Sequence, residues 1–180
     1  AIQPPEPIPT PMPSEDQSFS ELALAPALLA NLETLGYTRM TAIQAGCLPV
    51  ILAGRDVIAQ AKTGSGKTAA FGLGLLERVD AGSLTAQALI LCPTRELCLQ
   101  ITGDLKGYAR YLPKIRVAAI YGGAGMVHQI RQLRDGAQII VATPGRLIDL
   151  MQRRAADLSA VVTCVLDEAD EMLNMGFQED

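Results

Sequence analysis

Ala61-Lys62-Thr63-Gly64-Ser65-Gly66-Lys67-Thr68 lies between a short apolar run, Asp56–Gln60, and a stretch of helical period that begins near Lys67. These eight residues of the 180 constrain the fold most. A loop of small residues that opens directly into a helix is built to wrap an anion. Gly64 and Gly66 allow backbone turns that aim several N–H groups at one point, and the helix N-terminus adds its positive dipole end. In such a loop Lys67 neutralises the β- and γ-phosphates of a nucleotide, and the Thr68 hydroxyl is a ligand for Mg²⁺. The general pattern has Gly where Ala61 stands, and a small residue suffices there. The bland alternative, a flexible turn with one lysine, leaves the strand before it and the helix after it unexplained.

The chain supplies the alternation that this loop requires. Short β-rich runs at Asp56–Gln60, Gln87–Cys92, Arg116–Tyr121, Gln138–Ala142 and Val161–Leu166 are mostly continuously apolar, which suits strands covered on both faces. Between them Leu97, Ile101, Leu105, Tyr108 and Leu112 recur at helical spacing, as do Phe71, Leu75 and Val79. This predicts an α/β fold, an open and mainly parallel sheet with helices on both faces and ligands at the carboxyl ends of the strands. Two further helices are predicted ahead of the first strand, over Glu21–Thr34 and Thr41–Leu52, the second divided at Pro49. Residues 1–13 carry six prolines, so 1–17 is expected to be an extended tail and 18–180 the folded domain.

Composition narrows the function. A net charge of −4 and a pI near 5.0 exclude a global basic field, so any polyanion must be met locally. Cys47, Cys92, Cys98 and Cys164 form no C-x-x-C pair and read as buried free thiols. His128, the single histidine, has no nucleophile motif near it and reads as structural or surface. No apolar run reaches the roughly 18 residues of a membrane span and no signal peptide opens the chain, so no membrane partner and a cytoplasmic location are expected.

A nucleotide loop needs a carboxylate for its metal, and Val161–Leu166 runs into Asp167-Glu168-Ala169-Asp170. At the strand tip Asp167 is placed to hold Mg²⁺ and Glu168 to orient or deprotonate the attacking water. Read alone, these acids merely suit the first turn of a helix. Together with the phosphate loop they carry a resemblance. Ala-x-Thr-Gly-Ser-Gly-Lys-Thr and Asp-Glu-Ala-Asp resemble the first RecA-like domain of DEAD-box RNA helicases, and other segments agree in order. Pro93-Thr94-Arg95-Glu96-Leu97 with Gln100 resembles motif Ia, with Cys98 where Ala is usual. Gly122-Gly123 resembles the Gly-Gly turn, Thr143-Pro144-Gly145-Arg146-Leu147-Ile148-Asp149 resembles motif Ib, and Met172-Leu173 with Met175-Gly176-Phe177 resembles the run after the acidic box. The segments Gln60–Leu76 and Cys92–Leu97 are most similar to a bacterial subgroup that acts on large-subunit ribosomal RNA through a separate C-terminal domain.

The adenine-reading motif departs furthest. The family has Gly-aromatic-x-x-Pro-Thr-Pro-Ile-Gln, and this chain has Gly36-Tyr37-Thr38-Arg39-Met40-Thr41-Ala42-Ile43-Gln44, with both prolines replaced. Gln44 is suited to adenine because a carboxamide pairs with N6 and N7. Thr41-x-x-Gln44 is also a capping box at a helix start, and the two roles can coexist. Phe19, 17 residues before Gly36, matches the upstream aromatic that packs on adenine in the family.

The resemblance therefore implies an ATP- and Mg²⁺-binding RecA-like domain, truncated at its C-terminus, of an ATP-dependent RNA helicase. It implies nucleotide contacts from Phe19, Tyr37, Gln44 and Ala61 through Thr68, and catalysis by Lys67, Asp167 and Glu168. It also implies contacts with an RNA backbone from Pro93, Thr94, Arg95, Gly122, Gly123, Thr143, Pro144, Gly145 and Arg146. Taken singly, Pro-Thr-Arg-Glu and Thr-Pro-Gly-Arg are simply helix starts. Arg153 and Arg154 read as a solvated helix end. In the family a second RecA-like domain closes over the nucleotide and brings arginine fingers, worth on the order of 10³–10⁵ in rate in related phosphoryl-transfer enzymes. The chain alone is accordingly expected to bind nucleotide, turn it over poorly and unwind nothing. Two alternatives remain at this point: a non-catalytic module that uses nucleotide as a docking switch, and a DNA-directed helicase.

Overall fold

The computed structural model describes residues 17–176. The Pro-rich stretch falls outside the described residues apart from Gln17, whose carbonyl accepts from Met40 N at 2.9 Å. Phe177 lies outside them as well.

Four strands, β1 (Ala88–Leu91), β2 (Val117–Ile120), β3 (Ile139–Ala142) and β4 (Thr163–Leu166), form one parallel sheet in the order β2-β3-β1-β4. Each lies inside an apolar run predicted as a strand. The register sets Leu91 beside both Ala142 and Leu166, and Ile120 beside Ala142. All four carboxyl ends are thus level, and the four loops that leave them stand side by side. Seven helices, α1 (Pro26–Thr34), α2 (Ala42–Leu52), α3 (Lys67–Arg78), α4 (Arg95–Tyr108), α5 (Met126–Arg134), α6 (Pro144–Gln152) and α7 (Ala169–Asn174), complete the described fold with one 3₁₀ turn at Phe19–Glu21.

Alternation along the strands divides the apolar interior in two. Ile90, Ile139 and Val141 face one side and pack with Leu73 and Leu75 of α3 and Ile101 and Leu105 of α4. Leu89, Ile140 and Ala142 face the other and meet Leu147 and Leu150 of α6 together with Ile130 and Leu133 of α5. Full burial of such a side chain is worth roughly 1.5–3 kcal/mol, so the central strands hold the sheet.

Four expectations need correction. Asp56–Gln60 is not a strand and pairs with no described strand; all five residues are exposed, Ile58 at 93%. A strand exists only where a neighbour takes its backbone groups, and neither edge strand of the sheet hydrogen-bonds with this segment. Helix α2 runs through Pro49 without a division. Pro49 is exposed, the buried residues Gln44, Ala45, Cys47 and Leu48 all precede it, and its carbonyl still accepts from Ala53 N at 3.1 Å. The first long helix starts at Pro26, five residues later than predicted, because the proline forces Ala25 into an extended conformation (ψ 143°). Finally, Cys164 is exposed while the other three thiols are buried, since it lies with Val162 and Leu166 on the open side of β4.

Candidate nucleotide and RNA site

The phosphate loop is braced by a helix end. Thr41 caps α2: its Oγ1 accepts from Gln44 N at 3.4 Å, and Gln44 Oε1 accepts from Thr41 N at 2.9 Å. The same two side chains reach across to the loop. Thr41 Oγ1 donates to Ser65 O at 2.8 Å and Gln44 Nε2 donates to Gly66 O at 3.2 Å. Gly66 is the N-cap of α3 in the left-handed region, φ 92°, and a Cβ there would run into Gln44 Nε2 and sit 3.0 Å from Thr41 Oγ1. Glycine is therefore required at this position for two reasons, backbone conformation and close approach.

Lys67, the first residue of α3, folds back so that Nζ donates to Ala61 O at 2.7 Å and closes the loop into a ring. Inside it Ser65 Oγ is buried and has no hydrogen-bond partner among the described residues. Thr68 is half-buried in the first turn of α3, and Lys62, Thr63 and Gly64 are exposed. An orphaned hydroxyl, a lysine and the free N-terminal amides of α3 fit the oxygens of a phosphate.

The acidic tip stands opposite. Asp167 N donates to Leu91 O at 2.9 Å, which ties the tip of β4 to β1. Burial pushes the Asp167 carboxyl above the ordinary carboxylate range, opposed by the Lys67 ammonium and by the Glu168 amide. Glu168 is exposed, with φ 53° and ψ 49°, and serves as the N-cap of α7. A non-glycine residue held left-handed costs roughly 1–2 kcal/mol, and such strain concentrates at working sites. Among the described residues no three His, Cys, Asp or Glu side chains gather to cage a metal. The oxygen donors that are present, the Thr68 hydroxyl and the Asp167 carboxylate, are of the kind Mg²⁺ takes beside phosphate oxygens and water.

The aromatic candidates lie deeper. Phe19 is 2% exposed and packs edge-on against Tyr37 with centroids 6.3 Å apart; Tyr37 packs likewise on Tyr108 at 5.9 Å. Phe19 is thus a core residue in this structure, on the α1 and α4 side of the loop's brace.

The backbone-binding candidates gather at the carboxyl ends of β1, β3 and β2. Thr94 caps α4, its Oγ1 accepting from Leu97 N at 3.2 Å, whereas Thr143 at the start of α6 makes no such bond and keeps its hydroxyl free of capping. Pro93 and Pro144 are buried, while Arg95, Gly122, Gly123 and Gly145 are exposed. The Arg95 guanidinium lies over the Tyr121 ring, 5.2 Å from its centroid. Arg146 Nη1 donates to Ala124 O at 3.2 Å and to Gln129 Oε1 at 3.3 Å. Tyr121 and Gln129 were invisible to pattern reading, because their partners are distant in sequence and no local spacing marks them. Arg153 bonds Asp149 within its own helix at 2.7 Å, as a solvated helix end would. His128 is exposed and shares a hydrogen bond with Gln132 at 2.8 Å.

A family model described as DEAD/DEAH box helicase matches residues 41–180. The ATP-dependent RNA helicase DbpA of Escherichia coli (strain K12) is 54% identical over 163 residues, covering 90% of this chain and 36% of that protein. The ATP-dependent RNA helicase DeaD of the same strain is 47% identical over 165 residues, covering 92% of this chain and 26% of that protein. The crystal structure of a DEAD box protein from the hyperthermophile Methanococcus jannaschii matches with a TM-score of 0.83 at 40% identity, over 90% of this chain and 44% of that one. The chain spans about a third or less of the length of these two curated relatives.

Proposed function

Since the chain belongs to the DEAD/DEAH box helicase family, we propose that it is the nucleotide-binding RecA-like domain of an ATP-dependent RNA helicase. In this reading it binds ATP with Mg²⁺, grips a single RNA strand by its backbone and works against a second RecA-like domain of the same protein. The observation that carries the reading is the closed ring from Ala61 to Lys67, braced by Thr41 and Gln44 and facing Asp167.

Lys67 exchanges the Ala61 carbonyl for phosphate oxygens, where a charge-assisted bond replaces one to a neutral acceptor. Ser65 and the first amides of α3 add donors that are otherwise unfilled. Gln44 spends one lone pair and one N–H on its brace, so its carboxamide retains a second of each for the adenine edge. Thr68 and Asp167 are the residues that would hold Mg²⁺, which when bound neutralises charge on the β- and γ-phosphates. Glu168, exposed at the tip of β4, accepts the proton of the attacking water on its carboxylate. Thr94, Arg95, Gly122, Gly123, Thr143, Gly145 and Arg146 present hydroxyls, guanidiniums and backbone amides to phosphates and sugars, contacts that position a strand without reading its sequence. Four unpaired cysteines support a reducing, cytoplasmic setting.

Glu168→Gln in the full-length protein is expected to bind ATP as the wild type does and to lose RNA-stimulated hydrolysis by at least about 10²-fold, the span over which a positioned general base acts. Steady-state phosphate release measures it. Undiminished turnover in that variant removes Glu168 from the reaction.

A further inference from the structure

Helix α5 follows the Gly122-Gly123 turn and is poorly buried: Val127 is 82% exposed and His128 exposed, with Met126 and Ile130 half-buried. Its one buried residue is polar, Gln129 at 2% exposure. A carboxamide is a costly choice for a buried position unless its groups are bonded, and those of Gln129 are. Its Nε2 donates to Tyr121 O at 2.9 Å, and its Oε1 accepts from Tyr121 N and from Arg146 Nη1, both at 3.3 Å. Arg146 Nη1 also donates to Ala124 O, while the ring of Tyr121 lies under Arg95. Arg95 at the start of α4, Tyr121 after β2, Gln129 in α5 and Arg146 in the first turn of α6 thus form one connected path. Gln129 bonds both the turn after β2, through Tyr121, and Arg146 of the segment after β3.

We propose that Gln129 is a positioning residue for RNA: it clamps the Tyr121–Ala124 turn and steers Arg146, so that the loops after β1, β2 and β3 present their donors as one preformed row. The inference rests on the backbone-binding role proposed above for those loops. With Nη1 anchored on Gln129 and the Ala124 carbonyl, Arg146 keeps Nε and Nη2 for a phosphate in a fixed fork. With both Tyr121 backbone groups held, the left-handed Gly123 (φ 78°) stays beside Arg95, whose Nη1 lies 3.5 Å from where a Cβ on Gly123 would stand. Affinity comes here from preorganisation, since loops already ordered lose less entropy when the strand docks.

The test uses the full-length protein, fluorescence anisotropy of a labelled oligouridylate with a non-hydrolysable ATP analogue, and a separate titration with a fluorescent ADP. Gln129→Ala should weaken RNA about tenfold, as expected for losing a bonded buried partner, with nucleotide affinity unchanged. Gln129→Glu keeps both accepting contacts but sets a carboxylate oxygen against Tyr121 O where the amide donated, so it too should weaken RNA with nucleotide affinity unchanged; it also decides the matter if the alanine variant does not fold. Adding Gln129→Ala to Arg146→Ala should cost less than the sum of the two single losses, because the steering of Arg146 is already gone and only the hold on the turn is left to lose. A purely structural role for Gln129 predicts additive losses and a fall in nucleotide affinity as well, and either result overturns the proposal. So does unchanged RNA affinity in both Gln129 variants while Arg146→Ala loses it. If Arg95→Ala and Arg146→Ala also leave RNA affinity intact, the RNA path itself is wrong and the clamp falls with it.

Discussion

Strands β3 and β4 are both four residues long and both read as β-rich, yet they sit in different surroundings. Ile139–Ala142 is buried throughout, whereas Thr163–Leu166 alternates between half-buried and exposed, with Leu166 58% exposed. The loops they carry differ in the same sense. Those after β1, β2 and β3 are joined to one another by Arg95, Tyr121, Gln129 and Arg146. The phosphate loop leans instead on the N-terminal cap of α2, and the tip of β4 on the bond from Asp167 N to Leu91 O, with the Asp167 carboxyl in the field of Lys67. The proposed RNA side is thus preformed by side-chain links on a buried sheet. The nucleotide side is poised on a few contacts that a phosphate can replace, as the lysine bound to Ala61 O shows most plainly.

The largest expected effect probes the buried half. Ile139→Ala should destabilise the fold by about 2–5 kcal/mol, the range for removing a buried aliphatic side chain, read by chemical denaturation. On the nucleotide half, Gly66→Ala should weaken ATP by about tenfold or more, since an alanine held left-handed costs roughly 1–2 kcal/mol and its methyl meets Gln44 Nε2; calorimetric titration measures it. Asp167→Asn should separate stability from function. The folded Asp167 carboxyl lies above its ordinary range because it is desolvated, so its contribution to stability is fullest below the unfolded pKa and is lost as pH rises through the folded one. At neutral pH the asparagine variant should melt higher, with a gap that narrows on acidification, while Mg²⁺-dependent ATP binding falls. A lower melting temperature would contradict the burial argument. The smallest effect returns to β4: Cys164→Ala, on the open side of the strand, should change stability by no more than about 0.5 kcal/mol.

What could be read beforehand follows the same division. Four apolar runs became strands because their own side chains demand burial, and the chemistry at their ends followed from the parallel sheet. Thr41 and Gln44 were recognised as a capping box because that motif is local; their second task, bracing Ser65 and Gly66 more than twenty residues away, carries no local mark. Asp56–Gln60 has strand composition, but pairing depends on a neighbour and composition names none. Gln129 carries no local mark either: Met126, Ile130 and Leu133 recur at helical spacing, and a glutamine among them reads as surface until its distant partners are known. Pro49 misled because a proline on the exposed side removes one bond without ending the helix.

The central claim is that the Ala61–Thr68 ring is a phosphate site, and titration of MgATP into wild-type protein and Lys67→Ala tests it most directly. Loss of a charged hydrogen-bonding partner, about 1.5–3 kcal/mol, predicts a fall in affinity of roughly tenfold to 100-fold with the fold intact. Equal affinity in the two proteins would mean that the ring does not hold the phosphates.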